Sequence, residues 1–174
     1  MSEANQAVFK IFIRGSVDAV WREITKTDEP QGAMFNNFLE TDGLKPGGQM
    51  RMRTVSRRYT GVVGEILEFD PPRRYVHTFK FTNLNDPACK VVHEVRAVEG
   101  GAEYTMTLLD LPVGTKTAKQ MVGGAKFITG TLKSIVETGR PSLMVRLIFG
   151  LMGMLEWMNP KACKSENWPL SRKV

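Results

Sequence analysis

Apolar and polar residues alternate over residues 8–14 (VFKIFIR), the two-residue period of a half-buried strand, with Phe9, Ile11 and Ile13 on one face. Gly15 breaks the pattern and Ser16 stands where a helix N-cap belongs, with Asp18 set favourably against the helix dipole. Val17, Val20, Trp21 and Ile24 then recur as one helical stripe, which predicts a short helix over residues 17–25. A second short helix is expected over residues 30–35. From Phe38 the period returns to two. Strands are predicted over residues 49–55, 59–69, 74–81, 90–98 and 103–111, with Pro46-Gly47-Gly48, Asp70-Pro71-Pro72 and Asn85-Asp86-Pro87 as punctuation and Gly100-Gly101 as a two-residue turn. Ala118, Met121, Val122, Ala125, Ile128, Leu132, Ile135 and Val136 then mark one face of a long helix, which Gly139-Arg140-Pro141 stops. A curved antiparallel sheet must cover its apolar face, and the last helix is the only element long enough to do so. The expected fold class is therefore α+β, a sheet gripping a helix with space between them.

Composition narrows the function. The chain has 174 residues, enough for one sizeable core, with 42% hydrophobic and 24% charged residues and a net charge of +6. Arg51 and Arg53 alternate with Met50 and Met52, so they are expected on a solvated outer face; with no aromatic residues interleaved for base stacking, nucleic acid is not an expected partner. Cys89 and Cys163 lie far apart without metal-binding spacing, and no apolar leader follows the N-terminal residues, so a cytoplasmic protein with reduced thiols is expected. There is no G-x-S-x-G, P-loop or G-x-G-x-x-G motif, and Glu65, Glu68, Glu94 and Glu103 alternate outward. No catalytic residue, metal or cofactor is expected.

Ile13 through Trp21, Pro46-Gly47-Gly48 before a strand, GVVGEILEFDPP at residues 61–72 ahead of Arg74-Tyr75-Val76, and Leu132-Lys133 late in the long helix occur in an order and spacing that resemble the Bet v 1/START-like (SRPBCC) helix-grip superfamily. The branch resembled is that of the activator of the heat-shock chaperone ATPase, over about residues 8–139. The resemblance implies a seven-stranded sheet around a long C-terminal helix, with apolar or amphipathic ligands held between them. It carries over no shared catalytic residue. Where members often have Trp-Phe and Gly-Trp, this chain has Met34-Phe35 and Gly124-Ala125, which implies a more open or methionine-filled cavity. Residues 1–139 are read as the helix-grip domain and residues 140–174 as a C-terminal helical extension and tail, part of the same domain or of a dimer contact.

Strand parity puts Tyr75, His77, Phe79, Phe81 and His93 on one face, in a register that sets His77 opposite His93. Gly64 is likewise set opposite Phe79, with Gly61 and Gly64 leaving room beside the cavity. The candidate cavity residues are Trp21, Phe35, Met50, Met52, Tyr75, His77, Phe79, Phe81, His93, Tyr104, Met106, Met121, Phe127 and Ile128. Gly123, Gly124 and Gly130 cost helix stability, for which close approach to the sheet and flexing to admit a ligand are both open explanations. Residues 142–158 (SLMVRLIFGLMGMLEWM) form an apolar stretch too short and too charged to span a bilayer. A helix is expected there, its surface covered by a homodimer partner, by the domain itself, or by peripheral contact with a membrane near Lys161 and Lys164. The expected function is binding of a small apolar or amphipathic ligand. A polyketide-cyclase-type enzyme moving protons through Tyr75, His77, His93 and Tyr104, and a module acting on a chaperone or membrane, stand as alternatives.

Overall fold

The computed structural model describes residues 5–173. Strand β1 (Ala7–Ile13) leads into α1 (Val17–Thr25), followed by β2 (Phe38–Thr41), β3 (Gln49–Arg53), β4 (Thr60–Asp70), β5 (Arg74–Phe81), β6 (Cys89–Val98) and β7 (Gly101–Leu109). The long helix α2 (Lys116–Thr138) and a shorter α3 (Leu143–Met154) complete the regular elements. The strands form one antiparallel seven-stranded sheet in the order β1-β7-β6-β5-β4-β3-β2, and α2 lies across its concave face. This is the helix-grip arrangement.

The local signals act as the sequence predicts at both helix ends. Ser16 Oγ accepts from the Ala19 amide at 3.1 Å, satisfying one free donor of α1, and Gly139 closes α2 in the left-handed conformation with φ of 79°. The expected helix over residues 30–35 is a single 3₁₀ turn, Gly32–Met34. Phe35 and Asn36 both take positive φ, 56° and 57°, which ends any helix there. The turn is docked on α1 by the Glu23 carboxylate, which accepts from the Ala33 amide at 3.0 Å while pairing with Lys26 at 2.7 Å.

Between β5 and β6 the register departs from expectation while parity holds. Tyr75 pairs with His93 and His77 with Val91, a slip of two residues that leaves every side chain on its expected face. A bulge between Ile66 and Glu68 then reverses parity along β4, so that Ile66 and Phe69 both reach the core. The β4–β5 pairs Val62–Phe81, Val63–Lys80 and Ile66–His77 carry the register that sets Gly64 opposite Phe79, as expected, and at Gly64 a Cβ would overlap the Thr78 carbonyl oxygen and press on Met50 Sδ, so the residue permits a close backbone approach. The β6–β7 connection consists of Glu99 and Gly100, with Gly101 already in β7, where a side chain would overlap the Ile13 carbonyl.

Arg51 is a correction to the solvated outer face. It does point away from the concave side, yet it is wholly buried, because the C-terminal tail crosses the sheet over it. Its guanidinium donates to the carbonyls of Met50 (2.8 Å), Trp168 (3.3 Å), Pro169 (3.1 Å) and Arg172. Upstream of this, Ser165 donates its amide to the Arg58 carbonyl at 2.9 Å, Thr60 and Ser165 share a hydroxyl bond at 2.9 Å, and Thr82 Oγ1 donates to Cys163 Sγ at 3.3 Å. Residues 156–172 thus run from the concave side to the convex side around one end of β3, β4 and β5. No helix of the described residues is long and apolar enough to cross a membrane.

Candidate functional site

A cavity of about 660 Å³ lies between the concave face and α2. Its inner part is walled by residues almost wholly shielded from solvent, among them Ile24, Gln31, Tyr75, His93, Met106 and Met121, whereas Val55, Asn83, Gln120, Gly123 and Asn159 mark its open side. Twelve candidate residues line it: Phe35, Met50, Met52, Tyr75, His77, Phe79, Phe81, His93, Met106, Met121, Phe127 and Ile128. Strand parity on β3, β5, β6 and β7 and the inward face of α2 bring all of them but Phe35 together. Trp21 and Tyr104 stand outside the lining. Trp21 packs on Phe69, with ring centroids 5.6 Å apart, and Tyr104 sits behind His93.

Polar groups in the inner wall form one directed chain. The Thr78 carbonyl oxygen lies 2.8 Å from His77 Nδ1 and can only accept, so Nδ1 carries the proton and His77 Nε2 is left as an acceptor. His93 Nε2, 3.2 Å away, must therefore donate to it, which makes His93 Nδ1 the acceptor of the Tyr104 hydroxyl at 2.7 Å. Each ring is satisfied as a neutral imidazole in a single tautomer. None of the four ring nitrogens is left for a metal or a ligand, and among the described residues no three His, Cys, Asp or Glu side chains cluster.

The electrostatics agree. Burial pushes His77 down to about 4, and burial together with the neighbouring His77 holds His93 well below the ordinary histidine value. Burial alone raises Tyr75 and Tyr104 above the usual tyrosine range. Tyr75 stacks on His93 with ring centroids 5.4 Å apart, and its hydroxyl is buried with no hydrogen-bond partner among the described residues. Cys89 and Cys163 are free and buried, and burial pushes the Cys89 thiol up to about 11.

Several lining residues carried no sequence signal. Gln31, Asn36 and Asn37 come from the irregular segment around the 3₁₀ turn, where no periodicity exists to assign a face, and Met34, singled out by the resemblance, joins the lining from the same segment. The positive φ of Phe35 turns its ring onto Phe127 in a stack with centroids 4.5 Å apart, against the side of α2 that Gly124 leaves bare. A Cβ at Gly123 or Gly130 would meet nothing within 4 Å, so close approach to the sheet does not account for these two glycines. Phe149, Met152, Gly153 and Glu156 reach the open side of the cavity from α3 and the turn after it. Burial favours the neutral form of Glu156, but hydrogen bonds from Ser56, Thr54 and Arg58 outweigh it and hold the carboxyl below its usual range.

The sequence profile of the family described as Activator of Hsp90 ATPase homolog 1-like protein matches residues 6–137. No curated protein matches the chain at a significant level of sequence similarity. Among solved structures, CalU16 from Micromonospora echinospora is 20% identical with a TM-score of 0.60, over 88% of this chain and 86% of that one. The Aha1 dimer from Colwellia psychrerythraea is 14% identical with a TM-score of 0.62, over 77% and 97% of the two chains. An HSP90 activator from Plasmodium falciparum is 18% identical with a TM-score of 0.61, over 79% and 98%. At these identities the structures share the fold alone, whereas the profile spans most of the chain, and the chain belongs to the Activator of Hsp90 ATPase homolog 1-like family within the helix-grip superfamily.

Proposed function

We propose that the protein binds one small apolar or amphipathic molecule in the cavity between sheet and α2, without transforming it. The observation that carries this reading is the cavity itself. Its volume of about 660 Å³ falls in the range of small-ligand sites, roughly 300–1,000 Å³. Thioethers and aromatic rings dominate the walls, and flexible methionines adapt to ligands of varied shape. The histidine chain supports binding over catalysis, because it ends on the Thr78 backbone carbonyl, which can neither release nor take up a proton.

The test is titration with Nile red, a neutral dye that fluoresces in apolar surroundings, against the wild type and the Met106→Trp and Met121→Trp variants. Each added indole occupies cavity volume. The expected result is saturable one-to-one binding that both variants weaken, with near-ultraviolet circular dichroism confirming that they fold. Undiminished binding in both folded variants contradicts the proposal. Turnover of a polyketone chain that disappears in a folded His93→Gln variant would favour the cyclase reading instead.

A further inference from the structure

We infer that the cavity selects neutral ligands bearing a hydrogen-bonding oxygen that enters first, and discriminates against carboxylates; this rests on the binding reading above. Among the described residues, no lysine or arginine lines the cavity, and the single charged lining residue, Glu156, is itself anionic and already engaged by Ser56 at 2.6 Å and Arg58 at 3.4 Å. The inner histidines do not substitute for a cation, since all their nitrogens are committed and both rings are neutral. A carboxylate taken into this end would lose its hydration with no opposite charge in return.

Two uncommitted polar groups belong to the same wall. The Tyr75 hydroxyl is shielded from solvent without a partner, an expensive condition that a ligand oxygen would relieve. Gln31, 1% exposed, spends its amide nitrogen on the Lys26 carbonyl at 2.9 Å, and its amide oxygen accepts no hydrogen bond from the described residues. A ligand hydroxyl can accept from Tyr75 or donate to the Gln31 oxygen. A ketone or ester oxygen can accept from Tyr75.

The experiment displaces Nile red with dodecanol and with dodecanoic acid at a pH where the acid is ionised, using wild type and Tyr75→Phe. The expected result is that dodecanol displaces at about tenfold lower concentration than dodecanoate, and that Tyr75→Phe weakens dodecanol about fivefold while leaving the dye unaffected. Equal displacement by acid and alcohol, or an unchanged dodecanol affinity in Tyr75→Phe, overturns the inference and leaves the binding reading intact. Failure of the dye itself to bind overturns the binding reading and this inference with it.

A separate observation concerns α3. Leu143, Met144, Leu147, Leu151, Met154 and Trp157 are each at least 55% exposed, while Val145 and Phe149 face the domain. By helical spacing the exposed apolar residues of α3 sweep about half its circumference. Arg140, Arg146 and Lys161, within and flanking this segment of the chain, are exposed with no carboxylate partner among the described residues, and the one acid in the segment, Glu156, is turned inward.

The structure assigns this face to an anionic lipid surface. A two-fold contact through this segment would gather the basic residues of both copies in one interface with no outward-facing acid of the segment to pair them, whereas anionic headgroups complement them. The test is cosedimentation of the full chain with phosphatidylcholine vesicles, with and without phosphatidylserine, for wild type and a Leu147→Ser/Leu151→Ser variant whose changes lie at exposed positions. Binding is expected only with phosphatidylserine, weakened by salt and reduced at least about tenfold in the variant. A protein that stays in solution with both vesicles, or one that sediments as a dimer with α3 protected from exchange, contradicts the assignment.

Discussion

Acid should unfold this protein through its two histidines before most carboxylates contribute. His77 and His93 are neutral in the fold and become cationic in the unfolded chain as pH falls below the ordinary value of 6.5. The folded-state values are depressed, so the unfolded state binds more protons in that window. Stability is therefore fully present above about pH 6.5 and declines as pH falls toward the folded value. For His77, whose folded value is about 4, the loss approaches 1.4 kcal/mol per pH unit, amounting to roughly 2 kcal/mol at about pH 5 and about 3 kcal/mol in full. His93 adds a loss of the same sign. Against a stability of about 5–15 kcal/mol for an ordinary domain, this is a large fraction.

The assay is urea unfolding between about pH 8 and pH 5, with a His77→Gln/His93→Gln variant to subtract the carboxylate contribution. Imidazole nitrogen NMR of the wild type follows the same protonation directly and needs no variant. Stability that stays flat between about pH 7 and pH 5, or imidazole resonances that titrate near 6.5 in the folded protein, would refute the closed chain of hydrogen bonds described above.

Other substitutions test other parts of the structure. Tyr75→Phe deletes a buried hydroxyl with no partner and should raise stability by about 1 kcal/mol in thermal unfolding; a loss would mean that the hydroxyl is bonded. Arg51→Met leaves tail carbonyls without their donor and should cost about 2–4 kcal/mol, with hydrogen exchange accelerated over residues 163–172; unchanged exchange would show that the tail is held by other means. Gly64→Ala forces the β4 and β5 backbones apart and should cost about 2–3 kcal/mol by denaturant unfolding, whereas a neutral substitution would show that the close approach relaxes freely.

The sequence conveyed faces better than it conveyed partners. Alternation placed Tyr75, His77 and His93 on the concave side, and because side chains repeat every second residue, a register error of two left the histidines together, now as diagonal neighbours. A slip of one would have separated them, and loop length alone does not exclude it. Alternation also placed Arg51 on the convex side but said nothing of what covers that side. The covering segment is more than a hundred residues away in sequence and is irregular chain after two 3₁₀ turns, without periodicity. The same lack of period hid Gln31 and Asn37; Phe35 was legible as a cavity residue, but not its left-handed backbone, which accompanies its stacking on the distant Phe127.

The most direct test of the central claim is native mass spectrometry of the protein isolated from its own organism, with the adduct released and identified. The expected result is a one-to-one complex with a neutral, largely apolar small molecule, and loss of that adduct in a folded Met106→Trp variant. A bare chain, or an adduct retained equally by that variant, would contradict it.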